Sequence, residues 1–185
     1  IYDNSRPYQQ LVFQYSLHVL EKPDGLLHHF EYLAKADPNI DPRKEFVEQM
    51  IRDCGDKGDI LVYNISFERG KIEDAMLQFP KHAKKLKNIV SRLKDLMLPF
   101  QQKWYYTPAM KGSYSIKYVL PALVPELSYK DLEIQEGGTA SLTFSQMVDG
   151  SFKGDVEQTR KALLDYCKLD TEAMVRVLGR LYEIK

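Results

Sequence analysis

The 185-residue sequence predicts a single α/β domain in which a mixed sheet carries helices on its faces. Three observations predict it. Residues 11–19 alternate: Leu11, Phe13, Tyr15, Leu17 and Val19 face one way and Val12, Gln14, Ser16 and His18 the other, the period of a half-buried strand. Residues 60–63 (Ile-Leu-Val-Tyr) are apolar throughout and bounded by Gly58 and Asn64, as expected of a short strand covered on both faces and paired in parallel. Between them lies a helix pattern, so the order is strand, strand, helix, strand, which calls for a mixed sheet.

The elements follow in order. Residues 1–10 are polar and read as loop. Pro-Asp-Gly at 23–25 marks a turn, and residues 26–33 form a second strand that makes a hairpin or meander with the first. Asp41 and Pro42 suit the N-cap and first position of a helix; Phe46, Val47, Met50 and Ile51 make its buried stripe, and Gly55 and Gly58 close it. Residues 70–79 and 81–94 read as helices divided by Pro80. The stretch Lys81 to Arg92 has the densest positive charge, which reads first as a solvated helix face. Residues 95–99 fit either a strand or a helix end, and Phe100 to Met110 is aromatic and irregular. Residues 112–121 predict a short helix capped by Ser113 or Ser115; 125–138 reads as loop and 140–148 as helix. One long helix then spans about 160–184.

Composition describes an ordinary globular protein, 44% hydrophobic and 28% charged, with no apolar run of membrane-span length and no secretory signal. Cys54 and Cys167 form no CxxC pair, which fits a reducing, cytoplasmic setting. Lysine plus arginine balances aspartate plus glutamate at 26 each. That balance does not advertise a nucleic-acid partner, although a local patch suffices for one. His28 and His29, adjacent on a strand, point to opposite faces and do not make a paired metal site. His18, on the less apolar side of its strand, reads as structural or surface, and Cys167 as a small buried hydrophobe.

Chemistry concentrates in two stretches. Tyr166 and Asp170 are four residues apart on the last helix, so both side chains lie on one face a turn apart. A carboxylate so placed can hold a cation while the phenol orients a water, although the same pair is also common as a structural contact. The second stretch runs from strand 60–63 into Asn64, Phe67 and Glu68. Ligands of open α/β sheets bind at the C-terminal ends of strands, and converging carboxylates suit Mg²⁺ or Mn²⁺. Taken alone, Glu68 reads equally as a first-turn acid favoured by the helix dipole. Lys117 and the tyrosine-rich segment 104–118 offer charge and stacking surface to a nucleic-acid strand, with core packing as the ordinary alternative for the aromatics.

Asn64-Ile-Ser-Phe-Glu68 resembles the second motif of the DEDD 3′–5′ exonucleases of the ribonuclease H-like fold, where Asn-x-x-Phe-Asp is typical. Leu164-Asp-Tyr-Cys-Lys-Leu-Asp170 resembles their third motif in its Tyr-type form. Across nearly its whole length the chain resembles the bacterial DUF2779 family, in the phrases Arg6-Pro-Tyr-Gln-Gln, Phe13-Gln-Tyr-Ser-Leu-His18, Val62-Tyr-Asn-x-x-Phe-Glu68, Gly112-Ser-Tyr-Ser-Ile-Lys117, Leu120-Pro-Ala-Leu123 and Tyr166-Cys-x-x-Asp-Thr171. The resemblance implies one ribonuclease H-like, exonuclease-like domain over residues 1–185. It implies two-metal hydrolysis of single-stranded DNA or RNA, with Mg²⁺ or Mn²⁺ about 4 Å apart. Asp170 would be a direct ligand, Glu68 a second carboxylate reaching metal directly or through water, Tyr166 the residue that positions water, and Asn64 a support for its loop by hydrogen bonding. Apart from the resemblance, Asn64, Phe67 and Lys117 are read as the residues that meet the substrate.

Two departures bear on it. Position 68 is Glu, one methylene longer than the Asp of the exonucleases' second motif. No Asp-x-Glu lies in residues 1–20, so the first motif is expected upstream in a longer protein, and this chain is expected to hold half a site and to be inactive or nearly so. A sheet without that strand predicts an exposed edge, filled by residues 1–8 or by another chain, including a second copy. The alternative function is a non-catalytic module that binds nucleic acid or protein within a larger bacterial protein.

Overall fold

The computed structural model describes residues 9–22 and 25–184. It is mixed α/β with helix predominating. The hairpin expected near the start is present as β1 (Gln14–Leu20) and β2 (Leu27–Leu33), antiparallel, with Gln14 opposite Leu33 and Leu20 opposite Leu27. Pro23 and Asp24 of the expected turn lie outside the described residues, as do residues 1–8. The predicted first helix is α1 (Pro42–Cys54), capped by Asp41 as expected. Asp41 also takes a bidentate pair from the buried Arg43 guanidinium, at 2.9 Å from Nε to Oδ1 and 2.6 Å from Nη2 to Oδ2.

The apolar run is β3 (Ile60–Val62), parallel to β4 (Leu93–Asp95), with α2 (Ile65–Gln78), a 3-10 turn at Pro80–His82 and α3 (Ala83–Arg92) forming the crossover. The ambiguous stretch 95–99 is thus the end of β4 leading into α4 (Leu98–Gln101). After a 3-10 turn at Pro108–Met110 come α5 (Ile116–Leu123), α6 (Gly137–Asp149) and α7 (Val156–Glu183). Ser115 is the residue before α5, but its side chain makes no cap bond.

Two expectations are corrected. The helix placed at 70–79 begins at Ile65, because the Asp95 carboxylate accepts the backbone N–H of Asn64 (3.1 Å) and Ile65 (2.9 Å) and supplies the cap from outside the segment. The strands also do not share one ladder: among the described residues, β1–β2 and β3–β4 are separate two-stranded sheets. The physical reason lies in α7, which packs along β1. At Ser16, the backbone N–H turned away from β2 donates to the Cys167 sulfur of α7, so the edge expected to be open is met there by a helix. The polar face of β1 is covered in the same way, Thr171 Oγ1 lying 2.8 Å from both Ser16 Oγ and His18 Nδ1. His18, read as structural or surface, is therefore structural, and it stacks on His29 across the hairpin with centroids 4.5 Å apart.

Three apolar clusters make the core. Phe46, Val47, Ile72, Leu86 and Ile89 join α1, α2 and α3. Phe100, Met110, Val119, Leu120 and Val177 join α4, α5 and the end of α7. Phe144, Met147, Leu163 and Tyr166 join α6 to the front of α7, and Phe13 stacks on Phe144 at 4.3 Å. Burying a leucine or phenylalanine side chain stabilises by about 1.5–3 kcal/mol, so α7, which contributes to two clusters, is the main tie. Its 28 residues span about 42 Å.

Candidate functional site

The site is built on the buried stripe of α7. Thr159, Leu163, Tyr166, Asp170, Ala173 and Val177 recur at alternating intervals of four and three, and all but Asp170 are buried. A carboxylate has taken an apolar slot in that stripe. Tyr166 lies beside Asp170 from one turn earlier, and Tyr129, from the loop before α6, donates to Asp170 Oδ1 at 2.7 Å. The two phenol rings lie 6.3 Å apart. Burial pushes the Asp170 carboxyl above the usual carboxylate range, against the two tyrosine hydroxyls and the nearby Lys117 charge, which favour ionisation. Both phenols are held above their ordinary value by burial and by the adjacent Asp170 charge.

Glu68 reaches the same place from the first turn of α2. Its carboxyl is pushed up to about 7, first by desolvation, then by the charges of Asp95 and Asp170; a hydrogen bond from its own backbone N–H works the other way. Its Oε2 is buried with no hydrogen-bond partner among the described residues. An orphaned buried acceptor costs about 1–3 kcal/mol, and a proton or a cation would relieve it.

The remaining predicted residues fall around this centre. Asn64 is in the left-handed region (φ 79°), which asparagine tolerates better than most residues. Its side chain makes no cap bond; its carbonyl accepts the N–H of Phe67 at 3.0 Å and its own N–H donates to Asp95. Phe67 points outward, half exposed, with Lys71 Nζ 5.4 Å from its ring centre. Lys117, exposed at the start of α5, pairs with Glu136 at 3.3 Å and adds its charge to the field at Asp170. Cys167, half-buried, has its thiol pushed up to about 12 by burial. His28 and His29 do face opposite ways, His28 to solvent and His29 to Ser16 Oγ at 2.8 Å.

Sequence reasoning missed two members. Asp95 ends β4 and accepts three backbone N–H groups, those of Asn64, Ile65 and Met97 (2.9 Å). Tyr129 was passed over as loop. For Asp170 itself there was a further signal in the sequence, the interruption of a four-three apolar repeat by a carboxylate.

The donor set is all oxygen, which suits a hard divalent cation. Glu68 and Asp170 are the residues able to hold one, but among the described residues no group of three or more His, Cys, Asp or Glu side chains converges to close a cage. A small cleft between residues 9–12 and helices α1 and α2 is lined by none of the candidate residues. Among the described residues no helix is long and apolar enough to cross a membrane.

Fold and site thus define a mixed α/β domain with a tyrosine-flanked pair of carboxylates. Residues 1–115 match the family described as Domain of unknown function (DUF2779), and the chain belongs to that family. It is similar to the Uncharacterized protein UU173 of Ureaplasma parvum serovar 3, 28% identical over 202 aligned residues that cover 95% of this chain and 28% of that protein. The chain therefore spans under a third of the length of that relative. No solved structure matches it.

Proposed function

We propose that this domain contributes part of a metal-dependent site that hydrolyses phosphodiester bonds of single-stranded nucleic acid from the 3′ end, on a ribonuclease H-like frame. The observation that carries the reading is Glu68: a carboxyl pushed up to about 7, with a buried, unpartnered oxygen, beside Asp170. Perturbed carboxyls in mutual range are characteristic of sites built for a cation or a proton. Asp170 and Glu68 would hold Mg²⁺ or Mn²⁺, whose chemistry is to lower the pKa of water and to neutralise charge on the leaving oxygen. Further carboxylates, which the described residues do not supply, would complete the set. Tyr166 fixes one face of Asp170 and presents its hydroxyl beside it; Tyr129 holds Oδ1. Lys117 supplies positive charge at the mouth.

A second reading, a module that binds without catalysis, is favoured by a different observation. Asp95 is already committed to three backbone donors and Asp170 to the Tyr129 phenol, as purely structural carboxylates would be.

The test is degradation of an end-labelled single-stranded oligonucleotide, DNA and RNA in parallel, with Mn²⁺. It uses this chain, the chain joined to the Asp-x-Glu segment that the exonuclease reading requires, and the joined form carrying Asp170→Asn. The expected outcome is nucleotide-by-nucleotide shortening by the joined form alone, abolished by D170N while its circular dichroism spectrum is unchanged. A joined form that is folded and inert on both substrates leaves the binding module as the function.

A further inference from the structure

Residues 96–125 contain no acidic side chain, in a chain whose charges balance as a whole, and they carry Lys103, Lys111 and Lys117. The same stretch holds Trp104, Tyr105, Tyr106, Tyr114 and Tyr118. Their burial is divided in a telling way. Tyr105 turns in and packs edge-on to the buried Phe100, with centroids 6.1 Å apart. Its neighbours turn out: Trp104 is 74% exposed and Tyr106 52%. Tyr114 and Tyr118 are 46% and 44% exposed, and all three lysines face solvent.

The segment that presents them is pinned. Met110 is buried at 1%, and the backbone closes a series of turns, with Lys103 N–H to Phe100 O (3.1 Å), Tyr105 N–H to Pro99 O (3.1 Å) and Ser113 N–H to Met110 O (2.9 Å). Lys103 and Lys111 sit in the left-handed region. The segment is also tied to the carboxylate site, since Tyr63, at the end of β3, donates to Tyr114 O at 2.6 Å. Lys117 bears on Asp170 itself.

Exposed flat rings interleaved with exposed lysines, of which Lys117 alone is paired, with Glu136, on a pinned backbone have one chemistry in common, stacking of bases alongside neutralisation of phosphates. We propose that the segment from Trp104 to Tyr118 is a platform for single-stranded nucleic acid leading to the carboxylates, with Trp104 and Tyr106 as stacking faces. Charge selects this occupant: a protein partner recognised by aromatics alone would not require thirty residues free of acid. The proposal takes its ligand class from the function proposed above, and it does not depend on hydrolysis.

Trp104 is the chain's only tryptophan, so its fluorescence reports the platform and nothing else. The experiment titrates the chain with a twenty-nucleotide dT oligomer and, in a second arm, the U oligomer, in EDTA so that no cleavage occurs. The expected result is quenching of Trp104 with a salt slope near −2, from about three lysine contacts at −0.7 each. Trp104→Ala and Tyr106→Ala, read by anisotropy of labelled oligomer, should each weaken binding about ten-fold, with Trp104→Phe restoring most of the loss. Which oligomer binds more tightly separates DNA from RNA. Binding that leaves Trp104 fluorescence unchanged and is unaffected by either alanine overturns the platform while leaving the proposed function standing. A blue shift that grows with protein concentration in the absence of oligomer, together with a dimer mass, overturns it in favour of contact between copies. No binding of either oligomer in 20 mM salt overturns both. Quenching with no hydrolysis by the completed site keeps the platform and removes the catalysis.

Discussion

Glu68→Gln should stabilise this protein above neutral pH, the reverse of what removal of a buried charged group's partner usually does. The carboxyl moves from an ordinary 4.5 to about 7 on folding. Its folded pKa is the higher one, so between those values the folded protein binds more protons than the unfolded chain, and stability falls as pH rises through that window. At about 1.4 kcal/mol per unit, the difference between pH 4.5 and pH 8 is at most about 3 kcal/mol. Glutamine keeps the shape, donates to neighbouring oxygens and does not titrate. E68Q and wild type should therefore have nearly equal unfolding free energies at pH 4.5 and diverge by up to about 3 kcal/mol at pH 8, with E68Q the more stable. The assay is urea unfolding at half-unit intervals from pH 4.5 to 8.5, with the m-value checked for constancy. His18, whose pKa burial lowers, titrates in the opposite sense, but it is common to both proteins and cancels in the difference. Parallel curves, or an E68Q protein weaker at pH 8, would show that Glu68 is solvated or already paired, and would remove the observation on which the functional reading rests.

Two other perturbations test the scaffold. Asp95→Ala strips the acceptor from three backbone N–H groups at the junction of β4, α2 and α4; a loss of about 2–4 kcal/mol in urea unfolding is expected, with Asp95→Asn recovering part of it. Thr171→Val leaves Ser16 and His18 without their partner on α7; about 1–3 kcal/mol should be lost and faster amide exchange should appear in β1, while Thr171→Ser should stay near wild type.

The parts of this fold legible in the sequence are those whose cause is local. The alternation of residues 11–19, the Asp41-Pro42 cap and the apolar 60–63 run each announce an element within a few positions, and β1, α1 and β3 lie there with ends shifted by up to three residues. Tyr166 and Asp170 were visible for the same reason, being one helical turn apart. Asp95 and Tyr129 were not, because their partners lie 30 and 41 residues away in the chain, and nothing about a lone Asp at a strand end or a Tyr in a loop announces such a contact. The start of α2 was misplaced for that reason too: its cap belongs to β4. The separation of the two sheets was equally out of reach, since it depends on α7 meeting the backbone of β1 at Ser16 and Cys167.

The long helix has a mechanical consequence. Leu163 and Tyr166 are gripped by one cluster and Ala173 and Val177 by another, and no shared backbone ladder joins the two sheets among the described residues. Asp170 sits between the two grips, like the pivot of a balance. Tyr129 packs against both clusters and holds Asp170, so a tilt of one half against the other would be felt at the turn that carries the carboxylate, and the position with the most chemistry is also one sensitive to how the halves are set.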